Sequence, residues 1–352
     1  MTNTLVSSIF IPTINPDFMN QKTLQQLGEF GTISHLQSRL ALRDGVRVGI
    51  GDDAAVLDAL SCPVVTCDCL VEDVHFRRDW MTPRQLGCKA LVVNVSDIAA
   101  MKARPVAAFV TLALSARDDL HFVEELYAGL EEVAREYNFS VAGGDTSRST
   151  GGLMLSITLV GESKMPVLRS GAQDGDILLV TGTLGDSAAG LAILQNPDSA
   201  RALDDETRNF LIARHLEPTP RLREISSLPN GIVHAALDLS DGLAGDARHI
   251  AKCSALDLHI ETALIPLSTQ CLRAAQISEH RVLDWALGGG EDYELLLCVA
   301  PRDVATVTQI IADSTGTRVT IIGRCAASPN VPRVHFHNAD GTLKNAQAWT
   351  HF

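Results

Sequence analysis

Short apolar runs rich in valine, isoleucine and leucine alternate along this chain with longer stretches whose apolar residues recur at helical spacing, a pattern that favours mixed α/β units. The runs predict strands over residues 46–49, 64–67, 107–114, 154–160, 177–181, 234–238, 293–299 and 318–323. Helical spacing predicts one helix over 83–100, where Pro83 suits the first turn, and another over 120–137 with Asp118 or Asp119 as its cap. A third, 187–194, follows a polar strand-to-helix turn, and a fourth would reach Lys252 from a cap at Asp241 or Asp246. Residues 161–175, rich in glycine and polar side chains, place a domain boundary near mid-chain. The C-terminal stretch, with Pro329, Pro332 and Trp349, reads as a return loop docked by its aromatics.

A length of 352 residues suits two such domains, each able to bury its own core. A formal charge of −13 argues against nucleic acid or an anionic membrane as partner, since either needs clustered lysine and arginine. Runs such as Leu295-Leu296-Leu297-Cys298-Val299 are too short to span a bilayer. The N-terminus lacks the basic and apolar segments of a secretory signal, and a cytoplasmic location is expected. Eight cysteines scattered without a C-x-x-C pair fit reduced thiols better than disulfides or structural zinc.

Against that background one feature recurs: an acid beside Gly, Ser or Thr at the end of an apolar run. It is found in Gly51-Asp52-Asp53, Thr66-Cys67-Asp68, Ser96-Asp97, Gly143-Gly144-Asp145-Thr146 and Asp238-Leu239-Ser240-Asp241-Gly242, and no phosphate-loop lysine motif accompanies it. Hard oxygen ligands suit hard cations, and Mg²⁺ sits between one or two carboxylates and a phosphate. The pattern points to polyphosphate handled through several Mg²⁺ ions. Each motif taken singly is also explained by an acidic turn or a helix cap. Asp97 is less easily dismissed, because residues 91–100 are apolar almost throughout and an ionised carboxylate there requires a partner. Gly288-Gly289-Gly290-Glu291 costs backbone entropy, consistent with either close approach of a ligand or a glycine-rich turn.

The ordered set GIGDDAAVL, the Asp68 to Phe76 pattern, KALVVNVSDIAAM, GGDTSRS, RSGA, VTGTLGDSAAGLA, DLSDG and GGEDYEL resembles the thiamine-monophosphate kinases, in the superfamily that also holds aminoimidazole ribonucleotide and selenophosphate synthetases. The resemblance implies a two-domain α/β fold: an N-terminal α/β domain with a mixed sheet that forms a barrel across a homodimer, then a C-terminal α/β domain. It implies an N-terminal extension over 1–27, an ATP- and Mg²⁺-binding domain over 28–162 and a second domain over 163–352. The implied reaction is ATP-dependent phosphorylation of thiamine monophosphate to thiamine diphosphate. By matching motif, Asp52, Thr66, Cys67, Asp68, Asp97, Asp145, Asp238 and Asp241 are similar to the family's metal set, Thr66 and Cys67 through backbone oxygens. Gly144, Asp145, Arg169 and Ser240 are similar to its ATP-contacting positions, and His75, Glu291 and Trp349 to its substrate-contacting ones. Cys67 and Cys69 stand where the family commonly has Ser or Thr.

The chemistry agrees. A phosphate monoester carries about −1.5 to −2 charges at neutral pH, so its approach to the γ-phosphate of ATP requires charge neutralisation more than a general base. Two rival readings stay open: an ATP-using synthetase of the same superfamily, whose nucleophile motif is absent here, and a non-catalytic Mg²⁺-nucleotide sensor.

Overall fold

The computed structural model describes residues 31–338, 340 and 343–344, apart from 34, 52, 116, 199 and 279. A four-stranded and a seven-stranded sheet, each carrying helices, give a two-domain α/β fold with mixed sheets.

The first domain begins with a small hairpin, β1 (Val46–Val48) and β2 (Val56–Leu57), followed by β3 (Pro63–Val71), β4 (Arg104–Leu114), β5 (Ser140–Arg148) and β6 (Met154–Glu162). The last four form one sheet in the order β3-β6-β4-β5, parallel only between β4 and β5. Strict alternation along β6 buries Leu155, Ile157 and Leu159 on the helix side. That side is covered by α1 (Pro83–Ala100) and α2 (Leu120–Glu136).

Helix α1 starts where local chemistry dictates: Thr82 Oγ1 accepts from the Gln85 N–H at 3.2 Å, while Gln85 Oε1 accepts from the Thr82 N–H at 2.9 Å. It is buried on nearly all sides because α2, the first sheet and the second domain all pack on it. Gly87 and Gly129 set its distance from α2: a Cβ on Gly87 would stand 2.0 Å from the Leu126 carbonyl oxygen. Of the two cap candidates for α2, Asp119 accepts from the Phe122 N–H, whereas Asp118 binds the Ser115 N–H and pairs with Arg78.

The second domain contains β7 (Ile177–Thr181), α3 (Asp186–Gln195), α4 (Asp205–Leu216), α5 (Leu222–Ser226), β8 (Val233–Asp238), α6 (Leu243–Ser254), β9 (Leu256–Glu261), α7 (Thr269–Ile277), α8 (Val282–Gly288), β10 (Leu295–Val299), α9 (Val304–Thr315), β11 (Val319–Ala327), β12 (Val334–His337) and β13 (Leu343–Lys344). Its sheet runs β13-β12-β9-β11-β7-β10-β8. Strand β8 is the edge that meets α1, and the Ser96 hydroxyl donates to Asp238 Oδ2 at 2.7 Å across that junction.

Several expectations are corrected. The strand predicted over 293–299 starts only at Leu295, because Glu291 and Tyr293 take positive φ in the tight link from α8. Helix α3 begins after Gly185 in the left-handed region with no side-chain cap, and Asp186 is its first residue, bonded by Thr183. Helix α6 begins after Gly242, also uncapped; Asp246 lies inside it and accepts from the Asp241 N–H at 3.0 Å. The C-terminal stretch read as a return loop contains β12, which pairs in parallel with β9.

Candidate active site

Two strand ends and one helix build the main cavity, about 800 Å³ between the domains. Alternation along β3 turns Thr66 and Asp68 toward α1, where the Thr66 hydroxyl donates to Asp97. Asp97 follows Ser96 on α1, and Ser96 in turn binds Asp238 at the end of β8. Asp68, Asp97 and Asp238 thus reach one space from three elements, with Asp241, Ser240 and Cys67 on its wall.

Among the described residues these acids bond to hydroxyls and backbone, and no ion pair joins them to a cation. Burial, followed by the charge on Asp97, pushes the Asp68 carboxyl up to about 6. Burial and Asp97 likewise push Asp238 up to about 8, despite the Ser96 hydrogen bond. Asp97 is itself raised by burial, against the opposing effects of Thr66 and Arg169. Carboxylates crowded into one partly desolvated space form the donor set a divalent ion would complete: oxygen only and anionic.

Glu291 faces the same cavity in a different electrostatic state. Burial would raise its carboxyl, but the Lys89 ammonium at 3.2 Å and His215 Nδ1 at 3.1 Å outweigh that and hold it at about 2. Lys89 is 1% exposed and also donates to the His215 carbonyl at 2.9 Å. His75 lines the same cavity and accepts the Val71 N–H on Nδ1 at 3.1 Å. The glycines before Glu291 serve the chain's own packing: a Cβ on Gly290 would stand 2.5 Å from the Ser240 carbonyl oxygen. They let this segment lie on the 238–242 loop, and the Glu291 N–H donates to that same oxygen at 2.8 Å.

Gly144 and Asp145 do not join this cavity. Asp68, Ile157, Val110 and Gly144 form one row across the first sheet, with Asp68 and Gly144 on opposite edges. Three strand spacings separate them by about 14 Å. Gly144 and Asp145 instead line a second cleft of about 720 Å³ with Gly49, Gly51, Asp53 and Tyr127. Arg169 lines neither space, but its charge is felt by Asp97, Asp246 and His249. Asp52 and Trp349 lie outside the described residues, as does the 1–27 extension.

Four residues beyond the motif readings matter to this geometry. Lys89 and His215 fix Glu291, Tyr293 sits where the fields of Glu291, Asp238, Asp68 and Asp97 meet, and Tyr127 walls the second cleft. The one sequence signal was Lys89, a lysine at the head of the apolar run 90–93 of its helix.

Comparison with known proteins gives the same picture. Residues 51–163 match the AIR synthase related protein N-terminal domain, and residues 173–334 match the corresponding C-terminal domain. The thiamine-monophosphate kinase of Rhodopirellula baltica is 36% identical over 83% of this chain and 87% of its own length. That of Escherichia coli is 39% identical over 85% and 91%. Among solved structures, the thiamine-monophosphate kinase of Stenotrophomonas maltophilia superposes with a TM-score of 0.77 at 34% identity, covering 90% of this chain and 98% of that one. The complex of AaThiL with AMPPCP and TMP has a TM-score of 0.72 at 33% identity, covering 95% and 100%.

Proposed function

The chain belongs to the thiamine-monophosphate kinase family, and from that premise we propose how its own residues serve the reaction. It transfers a phosphoryl group from ATP to thiamine monophosphate, giving thiamine diphosphate. The observation that carries the mechanism is the meeting of Asp68, Asp97 and Asp238 in one cavity with no ion-paired cation among the described residues, beside a Glu291 held ionised.

In this reading Asp68, Asp97, Asp238 and Asp241, with backbone oxygens of Thr66 and Cys67, hold Mg²⁺ in the main cavity, while Asp145, across the sheet on the second cleft, and Asp52 serve a further ion. Bound Mg²⁺ supplies neutralisation of two phosphate-bearing substrates. The chain's own groups position them. Ser240 and Arg169 bind ATP phosphates, Arg169 through a planar donor fork. The second cleft receives the rest of the nucleotide beside Gly144 and Asp145. Glu291 and His75, with Trp349, hold thiamine monophosphate; an anion kept ionised at neutral pH suits the positively charged thiazolium ring. The acceptor phosphate oxygen is already ionised, so the transfer is in line without a general base.

We further place the domain division between 162 and 163, the enzyme in the cytoplasm and the active form as a homodimer. Among the described residues no helix is long and apolar enough to cross a membrane. The dimer reading is supported by the outer face of the first sheet, where Val65 is 61% exposed and Cys67 and Cys69 are also exposed. A second copy of that face would cover them in a closed barrel.

The test is incubation with ATP, Mg²⁺ and thiamine monophosphate, with thiamine diphosphate and ADP resolved by chromatography. Thiamine diphosphate forming in step with ADP is expected. ADP released at the same rate without thiamine monophosphate would replace the kinase by an ATPase.

A further inference from the structure

At the far edge of the second sheet, four or five strands from Asp238, three histidines and an aspartate share one face of β9 and β12. The parallel register sets His335 beside His259 and His337 beside Glu261, so alternation brings Asp257, His259, His335 and His337 to the same side. The opposite side carries Leu258, Ile260 and Phe336 into the core against α6. At about 4.8 Å per strand, this group lies roughly 19–24 Å from the catalytic acids.

We propose that Asp257, His259 and His335 form a site for a divalent transition-metal ion of the zinc class, with His337 orienting His259. Ligand atoms of the three lie within 4.8 Å of one another. His335 Nε2 is 3.2 Å from Asp257 Oδ2, and His259 Nδ1 is 3.0 Å from His337 Nε2. The other Asp257 oxygen accepts the Arg333 N–H at 2.9 Å, which fixes the carboxylate. A histidine whose second nitrogen is held by a neighbour is the arrangement that orients metal-ligating imidazoles.

The donor chemistry selects the metal. Two imidazoles and one carboxylate suit zinc, nickel or copper, whereas the all-oxygen catalytic cavity suits Mg²⁺. The rings of His259 and His335 now stack with centroids 4.8 Å apart. Their terminal torsions are broad, so rotation can turn the nitrogen lone pairs toward a common ion at little cost. Arg324, opposite His259 on β11, opposes a cation and limits the affinity. An ion here joins β12 to β9 across the parallel pair, fastening the sheet edge nearest the C-terminus.

The experiment titrates the full chain with Zn²⁺ against a chromophoric chelator, with excess Mg²⁺ to occupy the catalytic acids. One equivalent is expected to bind the wild type. His335→Asn and Asp257→Asn should each weaken it by more than about tenfold, at or beyond the loss typical of outer-shell partners. Their kinase activity and circular dichroism should be unchanged. If a variant does not fold, the Cu²⁺-loaded wild type is read instead, and nitrogen hyperfine coupling supports the site. Equal Zn²⁺ binding by wild type and the folded His259→Asn/His335→Asn double variant, or no nitrogen coupling, overturns it.

Discussion

Glu294 and the cluster of Asp68, Asp97 and Asp238 carry the same side-chain chemistry to opposite ends. Glu294 is fully buried and accepts from Arg221 at 2.5 and 2.6 Å, Arg214 at 2.9 Å and the Thr181 hydroxyl at 2.7 Å. Asp238 is buried and Asp68 and Asp97 are half-buried; Asp97 and Asp238 accept from hydroxyls, and among the described residues no arginine stands at bonding distance from any of the three. A carboxylate whose charge is matched inside the protein holds elements together, here β7, α4 and the Arg221 segment. One whose charge is left unmatched is available to an ion from outside. Burial alone does not separate structural from functional acids; the partners do.

The sharpest way to break the contrast is Glu294→Ala. It leaves two buried guanidinium groups without their anion, and a loss of about 3–5 kcal/mol in stability is expected from denaturant titration. The same substitution logic applied to Asp97 should invert. Asp97→Asn removes repulsion from Asp68 and Asp238, so stability should hold or rise while turnover falls by about 10²–10³-fold, the usual loss for one group that stabilises transition-state charge. Equal destabilisation of the two variants would show that both clusters are structural.

Magnesium sharpens the comparison by a third route. At about 100 times its dissociation constant, an ion that binds only the folded chain adds about 2.7 kcal/mol. The melting temperature should therefore rise with Mg²⁺ in the wild type and much less in Asp238→Asn. In Arg221→Gln, which damages only the matched cluster, the Mg²⁺ increment should persist on a lower baseline. A wild-type melting curve indifferent to Mg²⁺ would remove the unmatched cluster from metal binding.

The unmatched acids were legible in the sequence because each stands in or at the end of an apolar run, beside Ser, Thr or another small polar residue and with no local cation. Asp97 could be weighed without any fold, since the residues around it had to be buried. Glu294 was not singled out although it is fully enclosed, because its arginines come from 73 and 80 residues away and no local pattern announces them. Tyr293 was misplaced in a strand for a related reason: its side chain fits a β pattern, but its positive φ is imposed by packing on the 238–242 loop. Helices α4 and α9 were missed because their polar faces carry many charged and β-branched residues, which dilute the helical signal. The β9–β12 pairing was invisible since parallel partners are joined through space, not through a turn.

Glu291 stands between the two classes, matched by Lys89 and His215 yet open to the cavity, and the smallest predicted effect probes that intermediate state. Lys89→Met keeps the length of the side chain and removes its charge. Burial then acts on the Glu291 carboxyl with only His215 opposing it, so its proton affinity rises from about 2. In the wild type the carboxylate stays ionised at every pH well above that value, and KM for thiamine monophosphate should be flat on the acid side of neutrality. In Lys89→Met the protonated form becomes accessible as the pH falls, so KM should climb toward low pH. At neutral pH, looser positioning of one anchor should cost about tenfold in KM, or 1.4 kcal/mol, with kcat within a few-fold because the phosphoryl-transfer groups are untouched. Uniform loss of kcat at constant KM would instead place Lys89 in the transfer step, and would make Glu291 part of the charge-neutralising set and not a substrate anchor.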